Sequence, residues 1–229
     1  ALALQTPLNY LLKHRNSLFQ VTAIVLGQSG LLDEQTSKNE EEAALLREYQ
    51  FLKKKFSLQS MAASLWKRAR LRPQNAPQIR IRQFAQLICQ SEWLFSQMLV
   101  QPTVNDLRQL LCLQSPTTSA EDTQSIISAP PAIGKTSIDI LLINTLLPYR
   151  YAYALAHSDT TAAQMALTLM QQIPAEDNTI IRQWRLLGQQ VTSAADTQAL
   201  IHLYQHYCQN ERCIHCEVGQ QVFLLNHIP

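Results

Sequence analysis

Apolar residues recur at helical spacing along most of this chain, and the places where that spacing fails divide it. Leu2 to Leu12 already carries a helical pattern. Leu18 to Leu26 is apolar on nearly all sides, which predicts a buried helix. Gly27 and Gly30 are expected to close it, because glycine enters the left-handed cap without a Cβ clash. Asp33 to Glu42 is polar and reads as loop. Leu45, Tyr49, Leu52 and Phe56 then form one stripe of an amphipathic helix, with Lys53, Lys54 and Lys55 beside or opposite it. Pro73 and Pro77 interrupt the pattern, and Pro77 suits the first turn of a new helix. That helix is expected to carry Ile81, Phe84, Ile88, Phe95 and Met98 on one face. Another follows Thr103, which makes a capping box with Asp106.

The stretch 115–137 is rich in Ser, Thr, Ala and Pro and has no helical stripe. It is the best boundary, a linker or mobile loop between a lobe at 1–114 and a lobe at 138–229. Past it, Ile138 to Leu147 predicts a second buried helix, stopped by Pro148. Shorter helices are expected at Thr161–Gln172, Asn178–Val191 and Ala194–Tyr207. Ile180, Trp184, Leu187 and Val191 mark the core face of the middle one, and Ser193 with Asp196 caps the last. Only five glycines in 229 residues leave few tight turns for a β fold. The fold class is therefore all-α, an irregular multi-helix domain of two packed helical lobes.

Five cysteines cannot all pair, and a chain of this size does not need disulfide staples, so a reducing cytoplasm is the expected home. The longest apolar runs are about half of the ~20 residues a bilayer span requires, so no membrane is expected as a partner. The chain starts at Ala1 without a methionine, and its opening helix suggests a piece of something longer.

Net charge is only +2, but its distribution is uneven. Between Glu48 and Glu92 there is no acidic residue, while Lys53, Lys54, Lys55, Lys67, Arg68, Arg70, Arg72, Arg80 and Arg82 all fall inside that interval. Guanidinium forks and ammonium groups bind phosphate oxygens well, so Lys67, Arg68, Arg70, Arg72, Arg80 and Arg82 are candidate nucleic-acid contacts. The competing explanation is a solvated face with a few arginines capping helix ends or pairing with distant acids. Trp66 beside the cluster fits a core position better than a stacking platform for bases.

Cys208, Cys213 and Cys216 are spaced C-x4-C-x2-C, and thiolates this close can converge on zinc or an iron–sulfur cluster. A fourth ligand would come from His202, His206, His215, Cys89 or Cys112. The alternatives are small apolar side chains around a tight turn, or a redox pair of Cys213 with Cys216. Ala129 to Thr136 matches a relaxed phosphate-loop spacing, A-x4-G-K-T. Pro130 and Pro131 remove the amide donors that such a loop needs, so a simple turn into the next helix explains it better. No catalytic triad, HExxH or paired-carboxylate pattern stands out, and no catalytic residue is assigned.

Five segments together resemble one family. They are LLKHRNSLFQVTAIVLGQSGLL from Leu11, WKRARLRPQNAPQIRIRQFAQL from Trp66, LLINTLLP from Leu141, AEDNTII from Ala175 and YCQNERCIHCEVG from Tyr207. The family is a group of uncharacterised bacterial proteins labelled domain of unknown function 2851, and the chain is similar to the C-terminal part of its members. The resemblance implies a further N-terminal half with Gly-Pro-Asp-Phe and Glu-x-His-x-Lys segments like those of restriction-endonuclease-like folds. That half would be both partner and nuclease-like neighbour, with this helical region holding nucleic acid or acting as a structural scaffold. A bulky aromatic is common in the family where Ala76 stands here.

Overall fold

The computed structural model describes residues 2–32, 39–66, 72–114 and 127–225. Among them every regular element is helical, and the β features amount to one isolated bridge between Pro174 and Ser193. The all-α expectation holds. The chain divides into two compact units, residues 1–100 with 108–138 and residues 101–107 with 139–229.

In the first unit, α1 (Leu2–Gln5) and α2 (Leu8–His14) lead into α3 (Leu18–Gln28). Ser17 caps α3, its hydroxyl accepting from the Gln20 N–H. Every residue of α3 from Val21 to Gln28 is buried, as a run apolar on nearly all sides demands, and Thr22 and Gln28 are buried with it. Gly30 ends it at φ +70°, and a Cβ there would lie 2.1 Å from the Met61 carbonyl oxygen. Gly27 has a different role from the one expected. It sits inside α3 because the Tyr49 ring lies where its Cβ would be, 2.1 Å away.

Helix α4 (Glu40–Phe56) starts earlier than the polar composition suggested. Asn39 accepts the Glu42 N–H at 2.8 Å, and Glu40, Glu41 and Glu42 fill the first turn. Lys53, Lys54 and Lys55 fill the last turn, so both ends complement the helix dipole. Leu45, Tyr49 and Leu52 are buried, while Phe56 is exposed and meets the Tyr10 ring edge-on.

Pro77 opens α5 (Pro77–Gln90), which packs with α4 against α3. The expected long stripe breaks here. α5 ends at Gln90, Phe84 is exposed, and Phe95 and Met98 belong to a separate helix, α6 (Leu94–Val100). α7 (Val104–Leu111) is capped by Thr103, whose hydroxyl oxygen accepts the Asp106 N–H at 3.1 Å. Residues 115–126 of the expected linker lie outside the described residues. The part that follows is bonded to the first unit: Ser128 donates to Glu41, and the Pro131 carbonyl accepts from Gln83.

α8 (Lys135–Leu141) runs without a break through a π-helical turn, Leu142–Leu146, into α9 (Leu147–Ala156). Pro148 therefore does not stop the helix. It occupies the first turn of α9, and the wider turn ahead of it removes the need for its missing N–H. In the second unit α9 packs on α10 (Thr160–Gln172), and α10 and α11 (Thr179–Leu186) pack on α12 (Ala194–His206). Leu142, Ile143, Leu147, Leu169, Ile173 and Ile181 are fully buried there. Of the expected core face of α11, Val191 is buried and Ile180 and Trp184 are half-buried beside the fully buried Ile181. Leu187 alone departs, 78% exposed, because the helix ends at Leu186 and Gly188 turns the chain at φ +85°. α13 (Glu217–Leu225) closes the described chain. Among the described residues, no helix is long and apolar enough to cross a membrane.

Candidate binding surface and cysteine segment

Of the six candidate phosphate contacts, Lys67, Arg68 and Arg70 lie outside the described residues. Arg72 is exposed at the start of the short turn Pro73–Asn75. Arg80 and Arg82 are both on α5, about 200° apart around its axis, so they cannot form one patch with each other. Each is engaged inside its own unit. Arg82 Nη1 pairs with Glu41 Oε1, and the two side chains are only 17% and 12% exposed. The other carboxylate oxygen of Glu41 accepts from the Ser128 hydroxyl at 2.9 Å and the Ser128 N–H at 3.3 Å. Burial by itself would raise the Glu41 carboxyl. The hydrogen bonds from Arg82 and Ser128 and the charge of Arg82 outweigh it, holding Glu41 below its ordinary range.

Arg80 donates to Gln83 Oε1 at 3.0 Å, to Asn75 Oδ1 at 2.6 Å and to Ser137 Oγ at 3.0 Å. Gln83 in turn donates to the Pro131 carbonyl at 2.7 Å. The two arginines thus tie α5 to α4 and to 128–137. Trp66 is half-buried against the core, and its indole N–H reaches the Ser29 carbonyl at 2.8 Å. That leaves Lys53, Lys54 and Lys55 as the exposed cationic group of the described stretch, with Arg72. Gln50, Lys53, Lys54, Ser57, Leu58 and Gln59 line an open groove at the end of α4. Lys55 Nζ stands 5.7 Å and 5.4 Å from the ring centroids of Phe51 and Phe56.

Sequence reasoning did not single out Glu41. The gap between Glu48 and Glu92 is free of acids along the chain but not in space, because the α4 N-terminus brings Glu41 onto α5. The Asn39-x-x-Glu42 spacing was the available signal, since it marks a helix start and so puts Glu41 on an ordered turn. Arg150 was also passed over. It is buried in α9 and donates to the Gln101 carbonyl at 2.7 Å.

The three terminal cysteines fall on consecutive tight turns. Cys208–Asn210 and Cys213–His215 are 3-10 turns, joined by Glu211 in the left-handed region at φ +53°. Cys208 and Cys213 are exposed and Cys216 is buried. Among the described residues, no group of three or more His, Cys, Asp and Glu side chains is placed to hold a metal ion. The His202 and His206 rings lie tilted against each other with centroids 4.3 Å apart, while Cys89 and Cys112 belong to the first unit. Burial pushes the Cys89 thiol up to about 12. The A-x4-G-K-T stretch is no phosphate cradle: residues 128–134 form irregular chain, and the Pro131 carbonyl is held by Gln83.

A family model described as a protein of unknown function, DUF2851, matches residues 1–179. The three-cysteine segment lies beyond the matched residues. No curated protein and no solved structure matches the chain.

Proposed function

The chain belongs to the DUF2851 family, whose function is unknown, and on that premise we propose that it is a non-catalytic helical scaffold. In this reading its arginines brace its own fold, and its open apolar helices dock onto the rest of a longer protein or onto a protein partner. The observation that carries it is the bonding of Arg80 and Arg82. Arg80 is turned to two amide side chains and a hydroxyl of its own unit, and Arg82 to a carboxylate in a pair less than a fifth exposed, which aims both guanidinium groups inward rather than at a phosphate. Support for docking comes from α6, which has no buried residue and sits beside an open Trp93.

A second reading is favoured by the exposed lysines. Lys53, Lys54 and Lys55, with Arg72 and the intervening Lys67, Arg68 and Arg70, would track a nucleic-acid backbone beside a nuclease-like half. Titration of labelled duplex DNA and single-stranded RNA at low salt separates the two. The scaffold predicts no saturable binding. Saturable, salt-sensitive binding that the Lys53→Ala, Lys54→Ala, Lys55→Ala triple variant weakens would replace the scaffold with the second reading.

A further inference from the structure

The C-terminal segment carries chemistry that a scaffold does not use. In the turn Cys213–His215 the Cys216 N–H donates to the Cys213 carbonyl at 3.2 Å. A turn closed in this way holds its end Cα atoms within about 7 Å, the range a disulfide spans. The turn is held on its far side too. A Cβ on Gly219 would sit 2.2 Å from the Cys213 carbonyl oxygen, so only glycine lets α13 start this close to it. Gln220 also donates through its side chain to the Ile214 carbonyl at 2.9 Å and through its backbone to the Cys216 carbonyl at 2.8 Å.

The two sulfurs differ in access. Cys213 is open to solvent, whereas Cys216 is 7% exposed. An outside disulfide can reach Cys213, while the neighbour in the same turn is what can reach Cys216. Cys208 lies one turn back, where the Arg212 N–H donates to the Tyr207 carbonyl at 3.0 Å. Its thiol is pushed up by desolvation and then by the charges of Cys216 and Cys213. That lowers its thiolate fraction at a given pH, and the thiolate is the nucleophile.

We propose that Cys213 and Cys216 are a thiol–disulfide exchange pair that takes small-molecule disulfides as its oxidant, Cys213 attacking first and Cys216 closing the ring. The Cys213 thiolate attacks one sulfur of the external disulfide. The external S–S bond breaks, a mixed disulfide forms on Cys213, and one thiolate leaves to take up a proton. The Cys216 thiolate then attacks the Cys213 sulfur, the mixed S–S bond breaks, and the second small thiol departs. The pair has lost two electrons and two protons, and the external disulfide has become two thiols.

The test is the intact chain equilibrated in glutathione buffers of rising oxidised fraction, quenched by alkylation and mapped by peptide mass spectrometry. The expected result is loss of two alkylatable thiols in one step, with the linkage mapped to Cys213–Cys216, and Cys208 still alkylated. In Cys216→Ser, glutathione should stay trapped on Cys213; in Cys208→Ser, the two-thiol loss should be unchanged. Far-UV circular dichroism of each variant reports helix content, and the wild-type linkage map stands without any variant. A linkage through Cys208, or both thiols alkylated throughout the oxidised range, overturns the proposal.

Discussion

Glu41 and Arg82 show how one pair of residues decides between readings. An exposed ion pair contributes about 0–1 kcal/mol, so a surface contact between them would say little. This one is less than a fifth exposed on both sides, and breaking such a pair costs on the order of 3 kcal/mol because the remaining charge stays dry. Arg72 is exposed, and its removal should fall within about 0.5 kcal/mol. Gly27 makes a similar point about packing. Alanine there adds helix propensity worth up to about 1 kcal/mol, but its Cβ meets the base of the buried Tyr49 ring, which has no room to swing away. Overpacking of this kind costs about 1–3 kcal/mol. Gly27→Ala should therefore lower the urea midpoint; an unchanged or higher midpoint would mean that α3 and α4 separate without cost. The sequence showed a glycine near the end of an apolar helix, which fits a cap equally well, and a cross-helix contact leaves no trace in a single chain's spacing.

At the level of the element, caps were legible and curvature was not. Ser193 accepts the Asp196 N–H, and the Asp196 carboxylate accepts the Ser193 N–H at 2.9 Å and the Thr192 N–H at 3.0 Å. These bonds, Ser193's first, hold Asp196 below the usual carboxylate range. A depressed folded value means that the stabilisation is present above the unfolded carboxylate value of about 4 and is lost as pH falls through the folded one. Asp196→Ala should lower stability near neutral pH by about 1 kcal/mol, and the gap from wild type should close as acid protonates Asp196. Denaturation curves across the acid range check this, and a gap that persists at the lowest pH contradicts it. The Ser193 capping box and the Thr103 cap both involve neighbours three apart, so one chain displays them. The π turn before Pro148 and the early end of α11 at Leu186 depend on what packs from elsewhere, and periodicity alone assigned them a stop and a helix running on to Val191. Helix α4 was half legible, since its apolar stripe was clear while its acidic first turn passed for loop.

Across the molecule, the all-helical class followed from apolar spacing and from scarce glycine, because residue order and composition both act locally along the chain. The basic stretch was plain as a run of like charges, yet its role depended on which acids the fold returns to it. α4 reverses the chain so that an acid 41 residues upstream meets α5, and 128–137 comes back to meet Glu41, Gln83 and Arg80. Charge counted along a chain gives the field of an extended peptide, whereas a partner sees the folded surface. The central claim is that the α5 arginines are spent within the first unit. A double-mutant cycle of Glu41→Gln and Arg82→Ala, read by urea unfolding, tests it most directly. The account predicts that each single variant loses on the order of 3 kcal/mol and that the double loses little more than either, a coupling well above about 0.5 kcal/mol. Small, additive losses would contradict it, leaving Arg82 free to face a ligand.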